Sequence, residues 1–164
     1  MKKLLFVAIA VALLTGPGVA AQSKPASIQG VWHVVEATIT GPGARTISFA
    51  DRPNLTIITA KHYRRVEVQA DGPRPVVPDV AKASADELRA AWGPFVAEGG
   101  TYEIAAGNLV TMRPIASKNP AVMGPGVFIT YAYKLEGDTL WLTQQRNQNG
   151  PFPSPFSFKA VRVE

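Results

Sequence analysis

Few side chains in this chain are of a kind that does chemistry. There are two histidines, His33 and His62, and no cysteine. Thiol nucleophiles and cysteine metal sites are thereby excluded. His33 and Glu36 stand three apart in the alternating run IQGVWHVVEATIT (28–40). On a strand, residues three apart face opposite ways, so the two cannot share a metal. His62 lies beside a turn in AKHYRR, and a lone histidine there reads as a surface residue because metal sites need clustered ligands. No Gly-x-Ser-x-Gly elbow and no phosphate loop occurs. A triad assembled from distant positions stays open, with nothing pointing to one. The expectation is therefore no catalytic residue, no metal and no cofactor.

Two other groups stand out. Period-two spacing puts Trp32, Val34, Glu36 and Thr38 on one face, taken as the inner one. A carboxylate there needs a partner or stays protonated, unless Glu36 sits near a rim, solvated or paired with an arginine. The second group is Trp32, Tyr102, Met112, Tyr131, Tyr133 and Leu142. These residues either line a pocket with Val34 and Glu36 or fill a core.

The elements that must position them are mostly strands. Val, Ile, Thr, Tyr and Phe dominate short runs near 29–39, 45–49, 54–60, 62–69, 100–105, 108–115, 127–136, 138–146 and 156–163. Gly137-Asp138 inside YKLEGDTLWLTQQ marks a tight hairpin, and AAGNL (105–109) marks a second. One segment is helical. In SADELRAAWGPFVAEGG, Ser84 and Glu87 form a capping-box pair, and Leu88, Ala91, Trp92, Phe95 and Val96 follow at helical spacing. Pro94 places a break or kink near Gly93, and Gly99-Gly100 end the segment. Proline-rich stretches at 71–80, 114–126 and 149–156 cannot be sheet interior and read as long connections.

The chain ends and the charge bound the setting. MKKLLFVAIAVALLTGPGVAA carries two lysines, an apolar run and small residues, the layout of a signal peptide cleaved after Ala21. The run is shorter than the ~20 residues of a membrane span. The expected organisation is a signal peptide (1–21), a flexible lead-in (22–27) and one domain (28–164). The protein is expected to be periplasmic or secreted, without stable membrane anchoring. Loss of Lys2 and Lys3 lowers the formal charge from +5 to +3. Arg64-Arg65 is the only adjacent basic pair after the signal, and its members face opposite ways, so nucleic-acid binding is not expected.

If every run is a full strand, connections alternate between two ends of an antiparallel barrel. Connections 50–53, 69–99, 114–126 and 147–155 then share the end where Gly30 and Trp32 enter, and 40–44, 60–62, 105–107 and 136–138 share the other. Gly30 would permit close passage of neighbouring strands there, and Trp32 would plug that end. Trp92 and Phe95 would help the helix seal it, leaving a cavity facing the hairpin turns.

Gly30-Val31-Trp32 resembles the Gly-x-Trp signature of lipocalins. GGTYEIAAGNLVTMRPIASKNP followed by YAYKLEGDTLWLT resembles the bacterial lipocalin-like domain family more specifically. The matches are Gly100, Thr101 and Tyr102; Ser117, Asn119 and Pro120; and Tyr133, Leu135, Gly137, Asp138, Leu140 and Leu142. The resemblance implies an all-β, up-and-down antiparallel barrel of about 8–9 strands with one short inserted helix. It also implies a small apolar or amphiphilic ligand as partner. Met112-Arg113 stands where family members often carry a histidine pair, and Tyr131 where they often carry an arginine. The interior is therefore expected to be apolar and aromatic. An isomerase or cyclase using the cavity, and a packed structural or interaction module, are the alternatives.

Overall fold

The computed structural model describes residues 27–164. The expected signal peptide and all but the last residue of the lead-in lie outside the described residues. The strands are β1 (Gly30–Ile39), β2 (Arg45–Ser48), β3 (Asn54–Ile58), β4 (His62–Val68), β5 (Phe95–Ala105), β6 (Leu109–Ser117), β7 (Ile129–Glu136), β8 (Thr139–Asn147), β9 (Gly150–Pro151) and β10 (Phe156–Arg162). Helix α1 (Ala85–Trp92) lies between β4 and β5, and a 3-10 turn spans Pro120–Val122. Strands β1, β3, β4, β5, β6, β7, β8 and β10 pair in that order, and β10 pairs back onto β1. The result is a closed antiparallel barrel of eight strands, with β2 and β9 as additional strands. The expected fold class is the observed one.

Strands β2 and β3 are two pieces of one path. Gly30–Trp32 at the start of β1 pair with Ile58–Thr56, and Glu36–Ile39 at its end pair with Ser48–Arg45. Both pieces therefore run antiparallel to β1, and residues 49–53 interrupt them without reversing the chain. The Asn54 side chain stands in for the missing ladder. Its Oδ1 accepts from the Val34 amide (2.7 Å), and its Nδ2 donates to the Val34 carbonyl (2.9 Å) and the Arg52 carbonyl (2.9 Å). His33 helps span the same break, with ring nitrogens 3.3 Å from the Asn54 carbonyl and 3.1 Å from that of Ala50.

This interruption shifts every later connection by one. The three proline-rich segments and α1 do gather at one end, although residues 114–117 complete β6, Gly150–Pro151 form β9 and Phe156 opens β10, and the 40–44 turn joins them. The β3–β4, β5–β6 and β7–β8 hairpins share the other end with Gly30 and Trp32. The expected arrangement, with Trp32 at the helix end, is thus reversed.

Trp32 does plug its end. It is 0 % exposed, and its indole nitrogen donates to the Ile28 carbonyl at 2.8 Å. The Arg162 guanidinium covers the ring at 4.2 Å and donates to the carbonyls of Gln29 (2.7 Å) and Ser27 (2.9 Å). Gly30 is required by this closure. Its φ is +143°, and a Cβ there would lie 2.2 Å from Arg162 Nη1 and 2.7 Å from the Glu164 carbonyl oxygen.

Two further local readings differ. Register slips between Val34 and Glu36 against β10, where Val34 faces Ala160 and Glu36 faces Lys159. Such a bulge adds one residue and reverses the alternation beyond it. Trp32 and Val34 point inward, then Ala37 and Ile39, while Glu36 is exposed on the outer face. The helix is also shorter than its periodicity predicts. Ser84 and Glu87 form the expected capping box, but Phe95 and Val96 open β5, because Pro94 cannot supply a helical amide. Trp92 is half exposed, and Gly99-Gly100 lie inside β5. At Gly100 the β6 backbone comes so close that a Cβ would sit 1.9 Å from the Arg113 carbonyl oxygen.

Candidate functional site: the barrel interior

The barrel encloses a cavity of about 40 Å³. Of the expected residues, Trp32, Val34, Met112, Tyr131 and Leu142 line it. Tyr102 and Tyr133 pack against the core without reaching the cavity wall, and the Tyr102 hydroxyl donates to the Thr59 carbonyl at 2.6 Å. Glu36 is outside, beyond the bulge.

The polar part of the wall comes from residues that sequence reasoning did not select. Strand β4 reads HYRRVEV, and alternation turns Tyr63, Arg65 and Glu67 inward, leaving Val66 outside and 43 % exposed. Strand β5 adds Glu98 and β3 adds Thr56. The interior is therefore a polar cluster set in an apolar barrel, which corrects the expectation of an apolar and aromatic one. The signal was present but ambiguous. Both phases of β4 carry an arginine, and the valines Val66 and Val68 lie on the phase that faces out, so binary pattern alone does not choose the inner face.

The cluster is held by charge. Arg65 Nη2 lies 3.6 Å from Glu98 Oε1, and Glu67, 4 % exposed, accepts from Gln69 Nε2 at 2.8 Å. Burial works against the Arg65 charge, but Glu98, with Tyr131 and Glu67 behind it, more than offsets this and raises its pKa. Burial also raises the pKa of both Tyr63 and Tyr131, and the Glu98 charge adds to the rise at each. Both phenols are accordingly neutral at ordinary pH.

Two polar atoms are left over. The Tyr63 hydroxyl and Arg65 Nε are buried without a hydrogen bond of good geometry, although the Glu98 carboxylate is near enough to the hydroxyl to accept weakly from it. Tyr63 is only 2 % exposed, and both side chains border the same cavity. An unsatisfied buried polar group costs about 1–3 kcal/mol, so a fold that keeps two of them on one cavity wall is poised to receive an acceptor. A cavity of 40 Å³ has room for about one water as it stands. A larger guest requires side chains to move, and Met112, unbranched and adaptable, is on the wall.

Elsewhere, among the described residues, no three His, Cys, Asp or Glu side chains gather as a metal site would require. No described helix is long and apolar enough to cross a membrane. No protein-family model and no curated protein matches the chain.

Proposed function

We propose that the protein is a lipocalin-like carrier, exported by residues 1–21, that binds one small amphiphilic molecule inside the barrel. One observation carries this reading: two unpartnered donors, Tyr63 and Arg65, border a cavity whose remaining wall is largely apolar. Small-molecule sites commonly combine an apolar lining with a few convergent polar groups. Since Trp32 and Arg162 close the hairpin end, entry is from the end that carries α1 and the proline-rich connections. The Gly-x-Trp start and the Tyr-x-Leu-x-Gly-Asp hairpin support membership of the bacterial lipocalin-like family. The absence of cysteine accords with a fold that needs no disulfide outside the cell.

Binding of N-phenyl-1-naphthylamine, a dye whose emission rises in apolar surroundings, tests the reading. Val34→Trp and Leu142→Trp should each abolish the emission gain while circular dichroism stays unchanged. Equal gain in both variants would place the dye elsewhere and end the proposal. An isomerase or cyclase is the second reading, favoured by a phenol and carboxylates shielded from water on one wall. Chemical conversion of a molecule retained from the native host, rather than its recovery unchanged, would select it.

A further inference from the structure

Resting on that reading, we infer that the bound molecule presents a neutral carbonyl oxygen to Tyr63 and Arg65, and that the site discriminates against carboxylates. The donors are the first part of the case. The Tyr63 hydroxyl and Arg65 Nε–H both lack an acceptor in good geometry, and both border one cavity. A carbonyl oxygen has two lone pairs and can satisfy both donors at once. A hydrocarbon would leave both unsatisfied, at the cost that unpaired buried donors carry.

Charge is the second part. The wall already holds two carboxylates, Glu67 and Glu98, against one guanidinium, Arg65. The other titratable groups facing the space, Tyr63 and Tyr131, stay neutral because burial opposes their ionisation. A carboxylate ligand would be a third anion against one cation in a medium that screens poorly, and like charges there repel strongly. A cationic head would be drawn by the net negative wall but has no acceptor to offer, so it would leave both donors unpaired. A neutral acceptor is left as the group that satisfies both constraints.

Size is the third. The free cavity of about 40 Å³ holds about one water, so every guest must displace side chains, and compact ones displace least. A six-membered ring bearing one carbonyl demands less displacement of Met112 and Leu142 than a long chain does.

The experiment uses cyclohexanone, cyclohexanecarboxylate and methylcyclohexane as a matched series. The chain has three methionines, so methyl-13C labelling gives an uncrowded spectrum in which Met112 reports from the cavity wall. Cyclohexanone should titrate the Met112 signal with an affinity about tenfold above the other two, the range of one or two net hydrogen bonds. The 13C carbonyl signal of the bound ketone should move downfield, as donation to its oxygen requires. Tyr63→Phe should lower ketone affinity about three- to tenfold, the worth of one net hydrogen bond, and leave methylcyclohexane within twofold. If all three ligands bind alike, or the carboxylate binds best, the inference fails and the carrier reading stands. If none perturbs Met112, both fall. Tyr63→Phe only deletes an unpartnered oxygen, so failure to fold does not confound it, and an unchanged ketone affinity in that variant also overturns the inference.

Discussion

A buried phenol without a good hydrogen bond is an unusual thing for a small domain to keep. At Tyr63 the ring packs in the core while its oxygen finds no partner in good geometry. Removing that oxygen should therefore not weaken the free protein. We expect Tyr63→Phe to be neutral or to gain up to about 2 kcal/mol in urea unfolding; a loss of more than about 1 kcal/mol would mean the hydroxyl has a partner in solution. Trp32 is the opposite case. Its ring is fully buried and its nitrogen is satisfied, so Trp32→Ala should cost about 3–5 kcal/mol, read as a lowered urea midpoint. The difference was half legible in the sequence. Trp32 announces itself, because a tryptophan two residues after a glycine at a strand start has few places to go. Tyr63 does not, because its neighbours His62 and Arg64 alternate with Arg65 and Glu67, and charge appears on both faces. Glu36 misled for a different reason. The bulge that turns it outward is a matter of register against β10, and nothing in GVWHVVEATI marks it.

At the scale of elements, the break between β2 and β3 governs which end of the barrel does what. Two short runs of strand-forming residues separated by four or five positions look like a hairpin, and a hairpin reverses direction. Here the chain detours through Phe49–Pro53 and resumes on the same course, with Asn54 bonding both backbone groups of Val34. Asn54→Ala should leave that amide and carbonyl unpaired and cost about 2–3 kcal/mol, two net hydrogen bonds with some loss of solvation. Hydrogen exchange checks the cause, since the Val34 amide should lose protection while the β7–β8 hairpin keeps its own. Gly100 offers a second test. With no room for a Cβ against the Arg113 carbonyl, Gly100→Ala must push β6 away from β5, and we expect a loss of about 3 kcal/mol in urea unfolding, the upper end of what overpacking costs. The strands themselves were legible almost throughout, as was the capped start of α1. Only long-range pairing decides whether adjacent runs reverse, and no local pattern carries that information.

For the whole molecule, the polar interior sets an alkaline limit. Tyr63 and Tyr131 have pKa values raised by burial above the ordinary phenol value of 10.0. A folded state that holds its protons more tightly than the unfolded chain is favoured below the unfolded pKa and loses that advantage as pH rises past it. The melting temperature should therefore begin to fall above pH 10, and absorbance near 295 nm should show these two phenols ionising only together with unfolding. Their early, independent ionisation would show that water reaches the interior. The circle of strands has a temporal meaning as well. Strand β1 lies between β3 and β10, so the first residues of the domain await the last for one of their two neighbours. Trp32 likewise waits for Arg162. Contacts so distant along the chain form slowly, and none of them can form before residues 156–162 have been synthesised. Until β10 emerges, the growing chain is at most a sheet with two open edges, and the barrel has no inside.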